Sequence, residues 1–203
     1  MKNTDRNENK FKNIDKEVIR VVSFDPGISN MGICVGDFNR SNQEFTVLKT
    51  INFEGAKHRN KDKKMRRNCP HSFCVLSGIK EWVLTTLLPE WSPDYIACEG
   101  AFHNSHFPGA HQALVLVIHV LRECAFEWYE DDITDMAPMT IKKIVTGKGN
   151  APKEMIKTAI SQNTSIHLTV SLDALTEHEI DAIAHGYAFC IKYIPPIQHT
   201  KEP

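Results

Sequence analysis

The sequence has no charge excess of either sign: 24 Lys and Arg stand against 25 Asp and Glu, a formal net charge of −1. That excludes a chain whose whole surface attracts nucleic acid or an anionic membrane. No apolar run is long and unbroken enough to span a bilayer, so no membrane segment is expected. The N-terminus is polar and charged, unlike a secretory leader. Among the six cysteines, several lie within apolar runs, which points to reduced thiols and an intracellular protein. No internal repeat is evident. Thr146-Gly147-Lys148-Gly149 lacks the strand and helix that would make it a P-loop, and reads instead as a basic loop able to contact DNA.

What is present fits one folded domain. Residues 1–16 are polar and are expected to be disordered, residues 17–194 to fold, and residues 195–203 to form a tail. Three early strands are predicted at 17–24, 31–36 and 44–51, with connections too short for helical crossovers, hence an antiparallel meander. Apolar spacing predicts a helix from Phe73 to Leu88, ended by Pro89. A strand at 94–98 follows, then a buried helix over 111–124. A fifth strand is expected at 133–137, a helix over 140–146, another from Pro152 to about Ser161, and a last one over 176–193. Thr176 and Glu179 form a capping box for that last helix. The order implies an α/β fold: a mixed five-stranded sheet with helices on both faces.

Two strands end on acids, Asp25 and Glu99. Val21-Val22-Ser23-Phe24 has strand propensity, and Pro26-Gly27 turns the chain just beyond Asp25. Alone, Asp25 is an ordinary turn-former. If the first and fourth strands are neighbours, however, the two carboxylates meet. His178, Asp181 and His185 fall at i, i+3 and i+7 on one face of the last helix, beside the small residues Ala182 and Ala188. Oxygen ligands converging from separate elements suit two hard cations, and Mg²⁺ (Mn²⁺ as the alternative) is expected. Such a pair, about 4 Å apart, hydrolyses a phosphodiester by activating water and stabilising the leaving oxyanion. Histidine is an unusual Mg²⁺ ligand, so His178 is also a candidate general base.

These stretches resemble the RuvC-type Holliday junction resolvases of the RNase H-like superfamily. The resemblance covers about residues 18–192 and rests on VVSFDPGISNMG, YIACEGAF, TIKKIVTGKGNAPKEMI and EHEIDAIAHGYA. It implies an RNase H-like sheet and a catalytic, metal-holding set of Asp25, Glu99, His178 and Asp181. It also implies that Phe102 stacks on bases near the crossover and that Lys142 and Lys153 flank a Gly-x-Gly loop, Lys142 contributing to catalysis. The polar extension and the insertions resemble those of divergent members such as resolvases of large DNA viruses. The implied activity is resolution of four-way DNA junctions by a homodimer making paired nicks, at sites of DNA replication or recombination.

Other features stand outside that resemblance. Segment 57–67, KHRNKDKKMRR, holds seven Lys/Arg and one Asp. Lys63, Lys64, Arg66 and Arg67, with Lys148, are candidate DNA contacts; the plain reading of the run is a solvated loop. Cys69, His71 and Cys74, with His58 as a fourth ligand, form a zinc candidate whose spacing is not a standard one. His103, His106 and His111 line the region after Glu99. The helix over 111–124 is apolar nearly all round, which suits a core helix or a dimer face. Two other classes share the acidic set: an RNase H-like nuclease for RNA–DNA hybrids or flaps, and a branched-DNA-binding protein that does not cut.

Overall fold

The structure, a computed structural model, describes residues 15–101 and 108–197. Its strands are β1 (Val18–Asp25), β2 (Asn30–Asn39), β3 (Glu44–Glu54), β4 (Tyr95–Glu99), β5 (Thr134–Met136) and β6 (Ile166–Leu168). They form one sheet in the order β5-β4-β1-β2-β3-β6. The β1-β2-β3 meander is antiparallel, whereas β4 lies parallel to β1 and β5 parallel to β4. The class is the expected one, but the sheet has six strands, not five. The addition, β6, pairs with β3 over only three positions, Phe45↔Ile166 to Val47↔Leu168. A strand that short has no alternation for a sequence pattern to display.

Helices cover both faces. On one side lie α2 (His71–Trp82), α3 (Leu88–Trp91) and α4 (Pro108–Tyr129); on the other lie α5 (Pro138–Thr146), α6 (Lys153–Gln162) and α7 (Glu177–Tyr193). A six-residue helix, α1 (Lys63–Asn68), precedes α2 and buries none of its residues. The α4 helix is longer than the 111–124 expected. Pro89 does not end its helix. A π-helical turn over Val83–Leu87 precedes it, with the Leu88 N–H bonded to the Val83 carbonyl five residues back. That wider turn relieves the clash a proline ring makes in a regular helix. The helix runs on to Trp91 and stops at Ser92, which is left-handed (φ 44°).

Strand parity sets the two cores. Ile19, Val21 and Ala97 pack on the α7 side, while Val22, Phe24, Ile96 and Cys98 pack under α2 and α4. Because side chains alternate, Asp25 and Glu99 follow the first set and point toward α7. At the opposite end of the sheet, the buried Arg40 guanidinium donates to the carbonyls of Lys16 (2.9 Å) and Pro195 (2.9 Å).

Candidate active site

The site forms where β1 and β4 end. Phe24 pairs with Cys98, so Asp25 and Glu99 occupy the next positions of adjacent parallel strands. Strands in a sheet lie about 4.8 Å apart, which places the two carboxylates side by side on the α7 face. The α7 helix begins directly over them. Its Thr176 hydroxyl caps Glu179 N, and the Glu179 carboxylate accepts from Thr176 N (2.9 Å), so the expected capping box is present.

Position 32 shows why α7 comes so close. A Cβ on Gly32, the β2 partner of Asp25, would stand 1.8 Å from the His178 carbonyl oxygen. Only glycine permits that approach. Deeper in, the Ser23 hydroxyl donates to the Ala182 carbonyl (2.8 Å), and His185 Nδ1 lies 3.2 Å from the Phe24 carbonyl. A carbonyl only accepts, so Nδ1 carries the proton. His185 is fully buried, and burial pushes its pKa down to about 4, keeping it neutral. These polar ties lock α7 in register with β1.

The register brings His178 to Asp25: Nδ1 is 2.6 Å from Oδ2. That hydrogen bond raises the His178 pKa, against the opposing effect of partial burial. One turn on, Asp181 Oδ2 lies 3.5 Å from Lys153 Nζ, which also binds Glu177 at 2.9 Å. Glu99 is pushed up to about 7, first by burial and then by repulsion from Asp25 and Asp181; Lys142 and Lys153 only partly offset this. Asp181 is raised for the same reasons, burial first and Asp25 second. Burial disfavours the Lys153 charge, yet the Glu177 hydrogen bond and the Asp181 charge outweigh it and hold its pKa high. Asp25, Glu99, His178, Asp181, Lys142 and Lys153 therefore share one electrostatic neighbourhood.

The donor chemistry fits a hard divalent cation. Three carboxylates repel one another in a partly buried site, and two lysines leave that repulsion uncancelled. The residues do not form a closed cage: among the described residues no three His, Cys, Asp or Glu side chains are arranged to hold a metal. Asp25 is engaged by His178, and Asp181 by Lys153.

Other expected residues fall in different places. Phe102, His103 and His106 lie outside the described residues. His111 is in the first turns of α4. Lys148 is exposed in the loop after α5, where the Thr146 hydroxyl bonds Lys148 N (3.2 Å) and Gly147 takes φ 78°. The zinc candidate does not assemble. His58 stacks on Phe53 (ring centroids 4.1 Å apart) and meets the edge of Trp82, while the buried Cys74 thiol lies 3.8 Å from the Met65 carbonyl. Sequence reasoning did not find Ser23 or Gly32. Glycine at a strand position facing a helix is the one signal that could have found the latter.

Solved structures share this fold. The chain superposes on Thermus thermophilus RuvC in complex with a Holliday junction substrate with a TM-score of 0.66 at 19% identity, covering 85% of this chain and 93% of that one. The fold is that of the RuvC-type resolvases. A second Thermus thermophilus RuvC structure gives a TM-score of 0.62 at 18% identity, over 88% of this chain and 100% of that one. The yeast mitochondrial Holliday junction resolvase Ydc2 gives 0.62 at 12% identity, over 91% and 81%. No family model and no curated protein sequence matches the chain. The resemblance read from short motifs is thus matched by the RuvC architecture at very low overall identity. No helix among the described residues is long and apolar enough to cross a membrane.

Proposed function

We propose that this protein is a structure-selective, metal-dependent endodeoxyribonuclease that resolves four-way DNA junctions by paired, symmetric nicks. The observation that carries the reading is the convergence of Asp25, Glu99 and Asp181 where β1 and β4 end in a RuvC fold, with burial first, and repulsion from Asp25 and Asp181 second, raising Glu99 to about 7. Asp25, Glu99 and Asp181 would hold two Mg²⁺ or Mn²⁺ ions, which when bound would supply an activated water and stabilise the leaving oxyanion.

The chain's own residues have separable tasks. Asp25 accepts from His178 Nδ1, which fixes the imidazole ring and leaves Nε2 to take a proton from water. The raised His178 pKa makes it a better base than a free imidazole. Lys142 and Lys153 offset negative charge in the cluster and face the charge that builds on the scissile phosphate. Lys148, exposed beside Gly147, contacts the backbone, and Phe102 stacks on bases at the crossover. A junction with two equivalent strands calls for two active sites, hence a homodimer. Val115, Leu116 and Phe126 on α4 support that state, being apolar side chains 43%, 42% and 63% exposed.

The test is Mg²⁺-dependent cleavage of a four-way junction, a Y-fork, an RNA–DNA hybrid and a linear duplex in matched salt, with both nicks mapped. Symmetric nicks in opposing strands of the junction are expected. Preference for the hybrid, or junction binding with no cleavage in either Mg²⁺ or Mn²⁺, overturns the reading.

A further inference from the structure

We propose that α1 carries a docking site for the phosphates of a duplex arm, separate from the carboxylate cluster; this rests on DNA being the substrate. Four of its six residues are cations: Lys63, Lys64, Arg66 and Arg67. Like charges packed into six residues oppose the helix, and none of its residues is buried to compensate. An anionic partner removes that conflict.

The four cations are not equivalent. Arg66 is committed inside the chain: Nε donates to the Asn60 carbonyl (2.7 Å) and a terminal nitrogen to the Arg59 carbonyl (3.1 Å). Lys63, Lys64 and Arg67 are exposed and line one surface concavity with Asn68. Arg66 therefore acts as a brace, and the phosphate contacts proposed are Lys63, Lys64 and Arg67.

The platform is firmly held. Asp62 caps the helix by accepting from Met65 N (2.6 Å). Asn60 N donates to the Cys74 carbonyl (2.9 Å), and the Asn60 side chain donates to Ser77 (3.1 Å). The His58 carbonyl sits where a Cβ on Gly78 would be, 1.8 Å away. Such preorganisation lowers the entropy cost of gripping a ligand.

Its position suits an arm better than the scissile strand. β3 runs toward the same end of the sheet as β1, and Gly55 N donates to the Ser29 carbonyl (2.9 Å) beside the turn that follows Asp25. In the strand order, however, β3 stands two places from β1, about 10 Å away, and α1 lies farther along, packed against α2. α2, on which α1 packs, lies on the face opposite α7, so an arm that wraps around this end of the sheet would meet α1. Two lysines and an arginine in one shallow concavity offer phosphate contacts that carry no sequence information.

The experiment uses the full-length Asp25→Asn protein and a fluorescent four-way junction, titrated over a range of salt. A Lys63→Ala, Lys64→Ala, Arg67→Ala triple variant in that background is expected to bind at least about 10-fold more weakly. Its log Kd against log salt slope should be shallower by about 2 to 3, one contact each. Shortening the junction arms should shrink the difference. Lys64→Glu alone, as a milder variant, should weaken binding in the same direction, whereas Arg66→Ala should lower the melting temperature and leave the slope unchanged. Unaltered affinity and slope in the triple variant overturn the α1 assignment and leave the substrate reading intact. Failure of the Asp25→Asn protein itself to bind any branched DNA overturns both.

Discussion

The two faces of the sheet are held by different physics. Under α2 and α4, contact with the sheet is mostly apolar: Val22, Phe24, Ile33, Val35, Ile79, Val117 and Leu121 interdigitate, and the Tyr129 hydroxyl accepts from Ile96 N (3.1 Å). Under α7, apolar packing is joined by directed contacts: Ser23 to Ala182, His185 to Phe24, His178 to Asp25, and glycine at positions 32 and 186 where the helix touches the sheet. Apolar packing tolerates small slips, whereas hydrogen bonds and a Cβ-free approach do not. The face that must hold an acidic cluster in register uses the contacts that define register.

The largest effect that would break this contrast is at Asp25. Asp25→Asn should lower single-turnover junction cleavage by about 10³-fold or more, the scale on which a lost transition-state contact is felt, with binding retained. Unchanged cleavage would remove Asp25 from the site. Next comes a matched pair. Gly32→Ala pushes a methyl against His178 and should cost about 10²-fold in cleavage, as a misplacement of about 1 Å does. Leu121→Ala, on the other face, should cost about 2–5 kcal/mol of stability, read by denaturant unfolding, while the folded fraction cleaves normally. Equal cleavage losses in the two would erase the distinction.

A third prediction concerns pH. The Glu99 carboxyl is raised from an ordinary 4.5 to about 7, so the folded state holds its proton more tightly than the unfolded chain. Stability from that group is present at low pH and is lost as pH rises through about 7. His178, raised above 6.5 by Asp25, acts in the same direction, its contribution fading as pH climbs through its folded value. His185 runs the other way, but only below 6.5, since its folded value is about 4. Metal-free protein should therefore lose melting temperature between pH 6.5 and 8. Mg²⁺ should restore more of it at pH 8 than at 6.5, and Glu99→Gln should flatten the decline. A decline of equal size in Glu99→Gln would mean that Glu99 is not the titrating group. The smallest effect is Thr176→Ala, which removes the cap of α7 for about 1 kcal/mol, seen in thermal melts.

Much of this was legible in the residues. Asp25 and Glu99 announce themselves as acids closing apolar strands, and the Thr176/Glu179 box fixes the start of α7, which places His178 and Asp181 on one face. What escaped is what no local pattern encodes. β6 is three residues long, and its existence depends on the free edge of β3. The π turn before Pro89 is a geometric accommodation with no composition of its own. Ser23 and Gly32 look like ordinary strand residues until a helix some 150 positions later lies across them. Arg66 looked like its neighbours because charge is visible in sequence, whereas the carbonyls it serves are not.

Arg40 carries a practical consequence. By binding the carbonyls of Lys16 and Pro195, it holds the points where the chain enters and leaves the fold beside each other, at the end of the sheet away from Asp25. A fluorophore or a surface tether attached beside Lys16 or Pro195 would therefore sit at the end of the sheet away from the carboxylates. A short linker joining Lys16 to Pro195, with new termini cut elsewhere, should give a circular permutant that still folds.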